Sequence, residues 1–541
     1  MSASYDGLGR IAGQRFPSRR SAVHGRRGAV ATSQPLAAQA GLRLLLAGGN
    51  AFDAAIATAA ALNVVEPMST GIGGDAFALC CVAGDPTVHA LNASGRAPRA
   101  ASVEEYRARF GTMPQVGIHS VTVPGAVDGW AALIERFGSK PMAEILAPAI
   151  EYAEEGYPVS ELIARNWAAS AAKLARHADS TRHYLFDGQP PRAGQIVRLP
   201  ALAKSLRAIA TGGRDAFYRG EIAEQIVACS QREGGLITKQ DLANHRSTWD
   251  SPIHISYRGY DVYECPPNGQ GLAALVALNI LARDDLGTRV WGSAEHQHLA
   301  IEAMKIGFEV ASNYVADPAF VDLPLDELLS AAHAGQAYRS IDPARARTIP
   351  RVMPPASDTV YLSAVDGRGN ACSFINSLYH GFGSGITAGD TGICLQNRGG
   401  CFSLDPTHRN RLEGAKRPYH TIIPAMVTRQ GRPWLSYGVM GGFMQPQGHL
   451  QVLSNLVDFR MNPQEALDAP RFRVMHGVRV ALEETFGTAT VDSLRTRGHD
   501  ARSEAALTMA FGGGQAILID PDSGVLTAAS EPRKDGAAVA F

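Results

Sequence analysis

The stretch that decides the fold of this chain is Pro354-Pro355-Ala356-Ser357-Asp358-Thr359-Val360-Tyr361-Leu362-Ser363-Ala364-Val365-Asp366. Its two prolines restrict the backbone and predict a non-helical lead-in. The residues after Thr359 alternate as in a β-strand, and Gly367-Arg368-Gly369-Asn370 predicts a turn into a returning strand over 371–377. We therefore expect Thr359 at the mouth of a hairpin, where a loop meets a strand.

A threonine at such a place is, by itself, an ordinary strand-opening residue. Other motifs along the chain favour a different interpretation. They are Gly48-Gly49-Asn50-Ala51, Val65-Glu66-Pro67, Gly71-Ile72-Gly73-Gly74, Pro124-Gly125, Asp358-Thr359, Lys416-Arg417-Pro418 and Gly441-Gly442. In this order, they make the chain from about residue 28 to residue 541 resemble the gamma-glutamyltransferase family of N-terminal nucleophile (Ntn) hydrolases.

The resemblance implies an α+β fold, the four-layer αββα sandwich in which two stacked sheets lie between layers of helices. It also implies a proenzyme that cleaves itself between Asp358 and Thr359. Residues 1–358 would form the large, mostly helical subunit, and residues 359–541 the small subunit, which begins with Thr359. Both would build one intertwined core as a heterodimer, and a higher oligomer stays open. The family requires no metal and no organic cofactor.

The expected chemistry depends on Thr359. A threonine hydroxyl is a weak nucleophile until a base removes its proton. An N-terminal threonine supplies that base itself, because its α-amine has an unperturbed pKa of about 7.7–8.0. By the resemblance, the Thr359 hydroxyl first attacks the Asp358 carbonyl, and water then releases the two pieces. The freed Thr359 would next cleave the amide bond of a small-molecule substrate through an acyl-enzyme.

Two further catalytic positions follow from the resemblance. Ser377, on the returning strand, matches a hydroxyl that hydrogen-bonds the nucleophile, with a plain strand serine as the alternative. Gly441 and Gly442 match the glycine pair whose backbone N–H groups form an oxyanion hole. Glycine suits this task because the donors must crowd the developing negative charge.

The positions that would contact the substrate depart from the transferase pattern. Where the transferases place an acidic residue for the α-ammonium of a γ-glutamyl group, this chain has Cys401, which cannot supply that charge. Arg398, three residues earlier, would repel an ammonium and attract a carboxylate. Two serines of the pattern become His420 and Thr421, and a substrate-holding asparagine becomes Tyr379. These changes favour a small substrate that carries a carboxylate next to an amide.

A substrate-binding arginine of the family falls near Ala97-Pro98. Alignment on this pair puts its position on Ser94, and Arg96 is displaced by two residues. Residues two apart on a strand share a face, so Arg96 could still point into the pocket. A surface salt bridge is the alternative, and the sequence does not separate the two.

The sequence thus indicates an autoprocessed threonine hydrolase or transferase that acts on an amide bond. Within that class, hydrolysis of a small anionic amide, as in the oxamate amidohydrolases and cephalosporin acylases of the family, competes with γ-glutamyl transfer and a role in glutathione metabolism. Two other classes stay open. One is an unprocessed, non-catalytic binding or scaffold relative. The other is a nucleotide-binding enzyme built on Gly71-Ile72-Gly73-Gly74, although this loop matches neither the dinucleotide fingerprint nor a P-loop.

Composition bears on partners and compartment. The 541 residues carry 51 Lys and Arg against 51 Asp and Glu, and this balance predicts no nucleic-acid partner. No apolar stretch reaches the roughly 18 residues that a membrane-spanning helix needs, so we expect no membrane association. The seven cysteines contain no CxxC pair and predict buried thiols in a reducing compartment. We expect a cytoplasmic location, because no apolar signal segment follows the N-terminal arginines.

Local patterns place the helices. Helices are predicted over 35–47, 51–62, 103–110, 142–155, 160–175 and 293–313, within a region, 103–320, that is expected to be mostly helical. Ser33 and Asn50 are the expected N-caps of the first two helices. Residues 321–358 are rich in proline and alanine and predict a mobile connection that ends at Thr359. His296 and His298 lie two apart, do not share a helix face, and predict no metal site.

Overall fold

The computed structural model describes Phe16, residues 20–349 and residues 358–541. Its strands are β1 Val23–Gly25, β2 Gly28–Thr32, β3 Asp75–Cys81, β4 Val88–Ala93, β5 Tyr157–Pro158, β6 Ile196–Val197, β7 Thr248–Asp250, β8 Ile253–Tyr257, β9 Tyr260–Glu264, β10 Asp358–Asp366, β11 Ala371–Tyr379, β12 Ala425–Arg429, β13 Arg432–Met440, β14 Phe472–His476, β15 Arg479–Glu483, β16 Asp500–Glu504, β17 Gly513–Ile519, β18 Leu526–Ser530 and β19 Ala537–Ala540. Its α-helices are α1 Pro35–Leu46, α2 Ala51–Val65, α3 Val103–Phe110, α4 Ala126–Phe137, α5 Met142–Glu155, α6 Glu161–Leu174, α7 Ala178–Tyr184, α8 Pro200–Tyr218, α9 Glu221–Arg232, α10 Lys239–Asn244, α11 Gly271–Leu281, α12 Ala294–Tyr314, α13 Leu325–Leu328, α14 Ala331–Arg339, α15 Met444–Val457, α16 Pro463–Asp468 and α17 Thr488–Thr496.

Two stacked antiparallel sheets form the centre of the molecule. In the described residues, one sheet has the order β1-β18-β17-β13-β12-β9-β8 and the other the order β19-β2-β10-β11-β3-β4-β7. The sheets meet face to face, where the Tyr361 ring packs on Gly438 and Ser363 Oγ donates to Ser436 Oγ at 2.6 Å. Helices α1 and α2 cover the outer face of the second sheet, and α11 and α15 that of the first. The layer order is therefore αββα, as expected.

β10, the strand that carries Thr359, lies inside its sheet. It pairs with β2 on one side and, across the predicted hairpin, with β11 on the other. β11 pairs in turn with β3. Asp366 stabilises the hairpin turn, because its side chain accepts hydrogen bonds from the N–H groups of Arg368 and Asn370. Strands from the two sides of the Asp358–Thr359 bond are thus hydrogen-bonded neighbours.

The helical layer above β10 is rich in alanine. Every residue of α2 is buried, and its small side chains allow close approach to the sheet, to α1 and to α5. Asn50 caps α2, as predicted. It also forms a capping box with Asp53, and the helix continues to Val65, beyond the predicted end near Leu62. The other predicted helices are confirmed to within one residue at each end. No helix in the described ranges combines the length and apolar character needed to cross a membrane.

Some sequence predictions were wrong. Gln34, not Ser33, caps α1, because the Ser33 hydroxyl instead donates to the buried Glu66 carboxylate at 2.6 Å. Residues 321–349 contain α13 and α14, which pack into the same apolar core as α11, so this part of the expected mobile connection is ordered. Its remainder, 350–357, lies outside the described residues. The region 103–320 also contains the strands β5 to β9, which the sequence prediction missed.

Candidate active site

Thr359 and Ser377 meet across the β10–β11 hairpin. The pairing of the two strands shifts register between Asp358 and Val360, so Thr359 lies in an irregularity beside the end of β11. Its Oγ1 is 3.1 Å from Ser377 Oγ, and both side chains are buried. The fold thus brings together, in the uncleaved chain, the two hydroxyls that were singled out in the sequence.

Arg398 reaches the same point from a short 3₁₀ helix, Arg398–Cys401. Its Nη2 donates to Ser377 Oγ at 3.2 Å and its Nη1 to Thr421 Oγ1 at 2.7 Å. The guanidinium lies 4.3 Å from the centroid of the Tyr379 ring, a cation–π contact. The side chain is fully buried, yet among the described residues no carboxylate forms an ion pair with it and its Nε has no hydrogen-bond partner. Arg398 is therefore a buried cation held by hydroxyls and an aromatic ring.

Tyr379 has an unusual backbone conformation beside the nucleophile. Its φ of 82° lies in the left-handed region, which costs a bulky residue on the order of 1–3 kcal/mol. Its N–H donates to Ser377 Oγ at 2.8 Å, and its ring stacks on His380, whose backbone N–H donates to Asn397. Cys401 lies beside the Tyr379 phenol, and burial raises the pKa of its thiol, which keeps it neutral. These contacts orient the ring that faces Arg398.

A second buried pair, Asp75 and His420, lies next to Thr421. Asp75 Oδ2 is 3.0 Å from His420 Nε2, and both side chains are fully buried. Asp75 Oδ1 accepts hydrogen bonds from Gly95 N, Gly125 N and Gln396 Nε2. Burial raises the pKa of Asp75 to about 7, and the Arg398 charge opposes this rise. Burial lowers the pKa of His420 far below its usual range, and the positive charge of Arg398 lowers it further, so this ring is neutral.

Gly441 and Gly442 form the turn between β13 and α15. Their φ angles are 123° and 59°, and a Cβ on Gly441 would lie 3.2 Å from Gly512 Cα. In the described part of the chain, neither backbone N–H has a hydrogen-bond acceptor. Gln270 holds the turn, because its Nε2 donates to Gly442 O at 2.9 Å and to Thr421 O at 2.6 Å. The turn thus has N–H groups available as donors, and Gln270 links it to Thr421, the residue that binds Arg398.

Ser94 and Arg96 lie outside the Thr359–Ser377–Arg398 contacts. Arg96 Nη1 binds Asp317 Oδ2 at 3.4 Å and Ala415 O at 3.2 Å, so the salt-bridge alternative describes this arginine. Ser94 is buried in a network of side-chain amides, where its hydroxyl donates to Asn92 Oδ1 at 2.7 Å. Between the two, the Gly95 N–H donates to Asp75. The segment therefore contacts the site through its backbone.

The glycine-rich loop 71–74 serves close backbone packing. A Cβ on Gly73 would lie 2.2 Å from Cys394 O, and one on Gly74 would lie 2.3 Å from Ser377 O. Only glycine permits this approach to the strand of Ser377. At Gly73 and Gly74 the loop is thus packed against protein backbone.

One side-chain cluster has the composition of a metal site. His298, Glu302 and His499 offer ligand atoms that all lie within 4.8 Å of one another. The Lys305 ammonium, however, donates to Glu302 Oε1 at 2.8 Å, and His298 Nδ1 lies 2.8 Å from His499 Nε2. The lysine already provides the positive charge that the carboxylate requires, so these residues form a hydrogen-bonded network. His298, which the sequence analysis considered together with His296, thus forms its side-chain hydrogen bond with His499.

The sequence interpretation missed Asp75, Gln270 and Gln396. Asp75 had a usable signal, since it is an acidic residue at the start of a strand whose other members are Ala76-Phe77-Ala78-Leu79-Cys80-Cys81. A fully buried carboxylate needs donors, and such a position is a candidate for function. Gln270 and Gln396 lie in loops and have no comparable local signal.

Comparison with known proteins agrees with this geometry. A family model described as gamma-glutamyltranspeptidase matches residues 37–541. The glutathione hydrolase-like YwrD proenzyme of Bacillus subtilis is 40% identical over 529 residues, which cover 96% of this chain and 99% of that protein. The oxamate amidohydrolase proenzyme of Klebsiella pneumoniae is 36% identical over 517 residues, which cover 94% and 97%.

A solved structure extends the comparison to the fold. The crystal structure of cephalosporin acylase from Bacillus halodurans matches with a TM-score of 0.92 at 47% identity, and the match covers 98% of each chain. Family model, relatives and solved structure all span nearly the whole chain, and the two relatives compared in sequence are proenzymes. This chain is therefore a member of the gamma-glutamyltranspeptidase family of Ntn-hydrolase proenzymes.

Proposed function

We propose that this protein hydrolyses a small amide whose scissile carbonyl is bonded to a carboxylate group, as in oxamate. The observation that carries the proposal is Arg398, a fully buried cation that touches the serine next to the nucleophile. A buried charge without a partner costs several kcal/mol, so a site of this kind favours a ligand of opposite charge. A planar guanidinium also matches a carboxylate in shape.

The spacing supports a short substrate. Two hydrogen-bond lengths, 3.1 and 3.2 Å, separate Thr359 Oγ1 from Arg398 Nη2 by way of Ser377 Oγ. An attacking oxygen stands roughly 3–3.5 Å from the carbonyl carbon. A carboxylate held by Arg398 therefore leaves little room between itself and the reacting carbonyl. A carboxylate directly attached to that carbonyl meets this limit, whereas the α-carboxylate of a γ-glutamyl group lies three carbons farther away.

The reaction proceeds in two stages. In maturation, Thr359 Oγ1 attacks the Asp358 carbonyl, and the C–N bond breaks as an ester forms, which frees the Thr359 amine. Water then hydrolyses the ester and releases the Asp358 carboxylate and the Thr359 hydroxyl. In turnover, that amine removes the hydroxyl proton, Oγ1 attacks the substrate carbonyl, and the proton leaves with the departing amine. The N–H groups of Gly441 and Gly442 stabilise the oxyanion. Water then hydrolyses the acyl-enzyme and restores the free hydroxyl.

The site supports γ-glutamyl transfer less well. Binding the α-ammonium of a γ-glutamyl group requires an acidic side chain, and Cys401 stands where the transferases have one. The Cys401 thiol is neutral, since burial raises its pKa. Arg398 would moreover repel the ammonium at the same place. A second candidate, hydrolysis of a cephalosporin side-chain amide, is favoured by the 47% identity to the Bacillus halodurans acylase.

Kinetics on three substrates test the proposal. The matured enzyme should hydrolyse oxamate faster than the neutral diamide oxamide or a γ-glutamyl anilide. Arg398→Ala should raise the KM for oxamate by about 100-fold, because hydrogen bonds to a charged group contribute about 1.5–3 kcal/mol each. The KM for oxamide should change much less. Arg96→Ala is the matched control, since Arg96 is paired with Asp317 away from these contacts. Equal changes in KM for both amides, or a preference for the γ-glutamyl anilide, would overturn the proposal.

A further inference from the structure

The buried positive charge of Arg398 needs a negative charge nearby, and none of its direct contacts supplies one. Its hydrogen-bond partners, the hydroxyls of Ser377 and Thr421, are neutral. A fully buried guanidinium is stable only when a negative charge lies near enough to offset the loss of hydration. The contacts leave its Nε free of a partner among the described residues. The compensating charge must therefore act from beyond hydrogen-bonding distance.

Asp75 is the carboxylate placed to supply that charge. The pairing of β3 with β11 puts Asp75 directly opposite Ser377 in the sheet. The attraction between Asp75 and Arg398 is the strongest influence that opposes the rise in the Asp75 pKa on burial. The two side chains interact through space, because they form no ion pair in the described structure.

Hydrogen bonds hold the Asp75 carboxylate in place, so it does not move into direct contact with Arg398. Its Oδ1 accepts from Gly95 N at 2.8 Å, Gly125 N at 3.2 Å and Gln396 Nε2 at 2.9 Å, and its Oδ2 faces His420 Nε2 at 3.0 Å. The Ile422 N–H approaches His420 Nδ1 at 3.4 Å, so Nδ1 is the acceptor and Nε2 carries the proton. His420 thus donates to Asp75 as a neutral ring and leaves its negative charge uncancelled.

We infer that Asp75 is a positioning residue that determines specificity, because it compensates Arg398 from a distance and leaves the guanidinium free to bind a substrate carboxylate. A direct ion pair would occupy the guanidinium and exclude the substrate. The arrangement also limits affinity, since the substrate carboxylate and Asp75 repel each other across Arg398. This inference rests on the proposed function, in which an anionic amide is the substrate.

Removal of the Asp75 charge should therefore strengthen the binding of anions. Asp75 and Arg398 lie beyond hydrogen-bonding distance of each other in a partly polar interior, so the loss of one charge changes anion binding at the other only moderately. We expect Asp75→Asn to lower the KM for oxamate on the order of tenfold. The KM for neutral oxamide should stay within about twofold, since no charge is involved. Asparagine keeps an oxygen for the three donors, and His420 can meet the new amide by changing its tautomer.

Titration of Asp75 gives the same effect without a mutation. The charged or titratable groups near Asp75 are Arg398, Arg417, His420, Cys401 and Tyr218. Burial lowers the pKa of Arg417 to about 10, so this side chain stays charged, while burial keeps His420, Cys401 and Tyr218 neutral near pH 7. Asp75, with a pKa of about 7, is thus the group of this set that changes charge between pH 6 and 8. As the pH falls, Asp75 is protonated and Arg398 binds the anion more tightly.

The experiment compares KM values for oxamate and oxamide from pH 6 to 8. In the wild-type enzyme, the ratio of KM for oxamate to KM for oxamide should rise with pH. The Thr359 amine loses its positive charge over part of the same range and adds to this rise, but its contribution persists when Asp75 is replaced. In Asp75→Asn the ratio should be lower than in the wild type and should rise less with pH. Asp85→Asn is the matched control and should behave as wild type, because Asp85 is a half-buried aspartate beyond the other end of β3, where it binds His89.

The outcomes separate this inference from the proposed function. If the wild type shows no preference for oxamate, the proposed function fails whatever Asp75 does. If the preference exists but the wild-type ratio is flat with pH, or Asp75→Asn leaves it unchanged, the role of Asp75 is overturned. A wild-type profile that is flat with pH overturns the role of Asp75 without any variant, so the inference can be refuted even if Asp75→Asn does not fold.

Discussion

Ser377 connects Thr359, the proposed nucleophile, to Arg398, the cation proposed to bind the substrate. Its Oγ lies 3.1 Å from Thr359 Oγ1 and accepts from Arg398 Nη2 and Tyr379 N. One hydroxyl thus contacts both the oxygen that is proposed to attack and the guanidinium that is proposed to bind the substrate. The sequence-based prediction placed Ser377 beside Thr359, and the geometry agrees, while its catalytic role stays a prediction.

Ser377→Ala should lower kcat on oxamate and on oxamide to a similar degree, about 10–100-fold. The reason is that the change acts on the orientation of Thr359, which both substrates require. Ser373→Ala is the control, because Ser373 lies on the same strand and binds Tyr361 at 2.7 Å instead. Steady-state kinetics of the matured enzymes measure the effect. A loss confined to KM, or an equal loss in the control, would contradict this role.

At the scale of elements, the turn between β13 and α15 forms the candidate oxyanion hole. Gly441 and Gly442 follow β13 and have positive φ angles. Gln270 links Gly442 to Thr421 through hydrogen bonds to their carbonyl oxygens. Glycine is needed here because of both its φ and the 3.2 Å approach that a Cβ would make to Gly512. The conformation of one short turn therefore controls where two N–H donors point.

Gly441→Ala should reduce kcat about 100–1,000-fold, the usual effect of losing an oxyanion donor, with little change in KM. Gly431→Ala is the control, because Gly431 has a φ of 74° in the β12–β13 turn and nothing within 4 Å of its Cβ position. That variant should lose about 1 kcal/mol of stability and keep its kcat. Circular dichroism melts alongside kinetics separate the two effects. Similar kcat values in the two variants would argue against the oxyanion role.

At the scale of the molecule, the two sides of the Asp358–Thr359 bond are interleaved. β10 and β11 lie between β2 and β3 in one sheet, and β9 pairs with β12 in the other. Separation of the pieces after cleavage would break strand pairing in both sheets and expose the apolar layer between them. Cleavage should therefore free the Thr359 amine without releasing either subunit.

Intact mass spectrometry of the denatured protein should show two masses, for residues 1–358 and 359–541. The same sample should elute as one species in native size exclusion and should melt in a single transition. Thr359→Ala should give a single full-length mass under the same conditions. A wild-type chain that stays full length on long incubation would contradict self-cleavage and favour a non-catalytic relative. Two separately eluting pieces would contradict the interleaved core.

Local sequence patterns were sufficient for much of this structure. The hairpin of β10 and β11, the Asn50 cap and the helices over 35–47, 51–62, 103–110, 142–155, 160–175 and 293–313 were predicted, because each depends on residues a few positions apart. The same reasoning failed for Ser33, whose hydroxyl binds Glu66 on the next helix, and for α13 and α14. In each failure, a contact distant in sequence outweighed local preference.

By itself, the sequence determined the family, the hairpin that carries Thr359 and the residue types that depart from the transferase pattern. Only the tertiary structure decided how those residues combine. It joins Arg398 to Ser377 and Thr421, and it pairs Asp75 with His420 across 345 positions. It also places Arg96 in an ion pair with Asp317, away from these contacts. The physical reason is that local periodicity specifies strands and helices, whereas the partners of a buried charge depend on which strands become neighbours. The stacking of two sheets built from both ends of the chain settles that choice here.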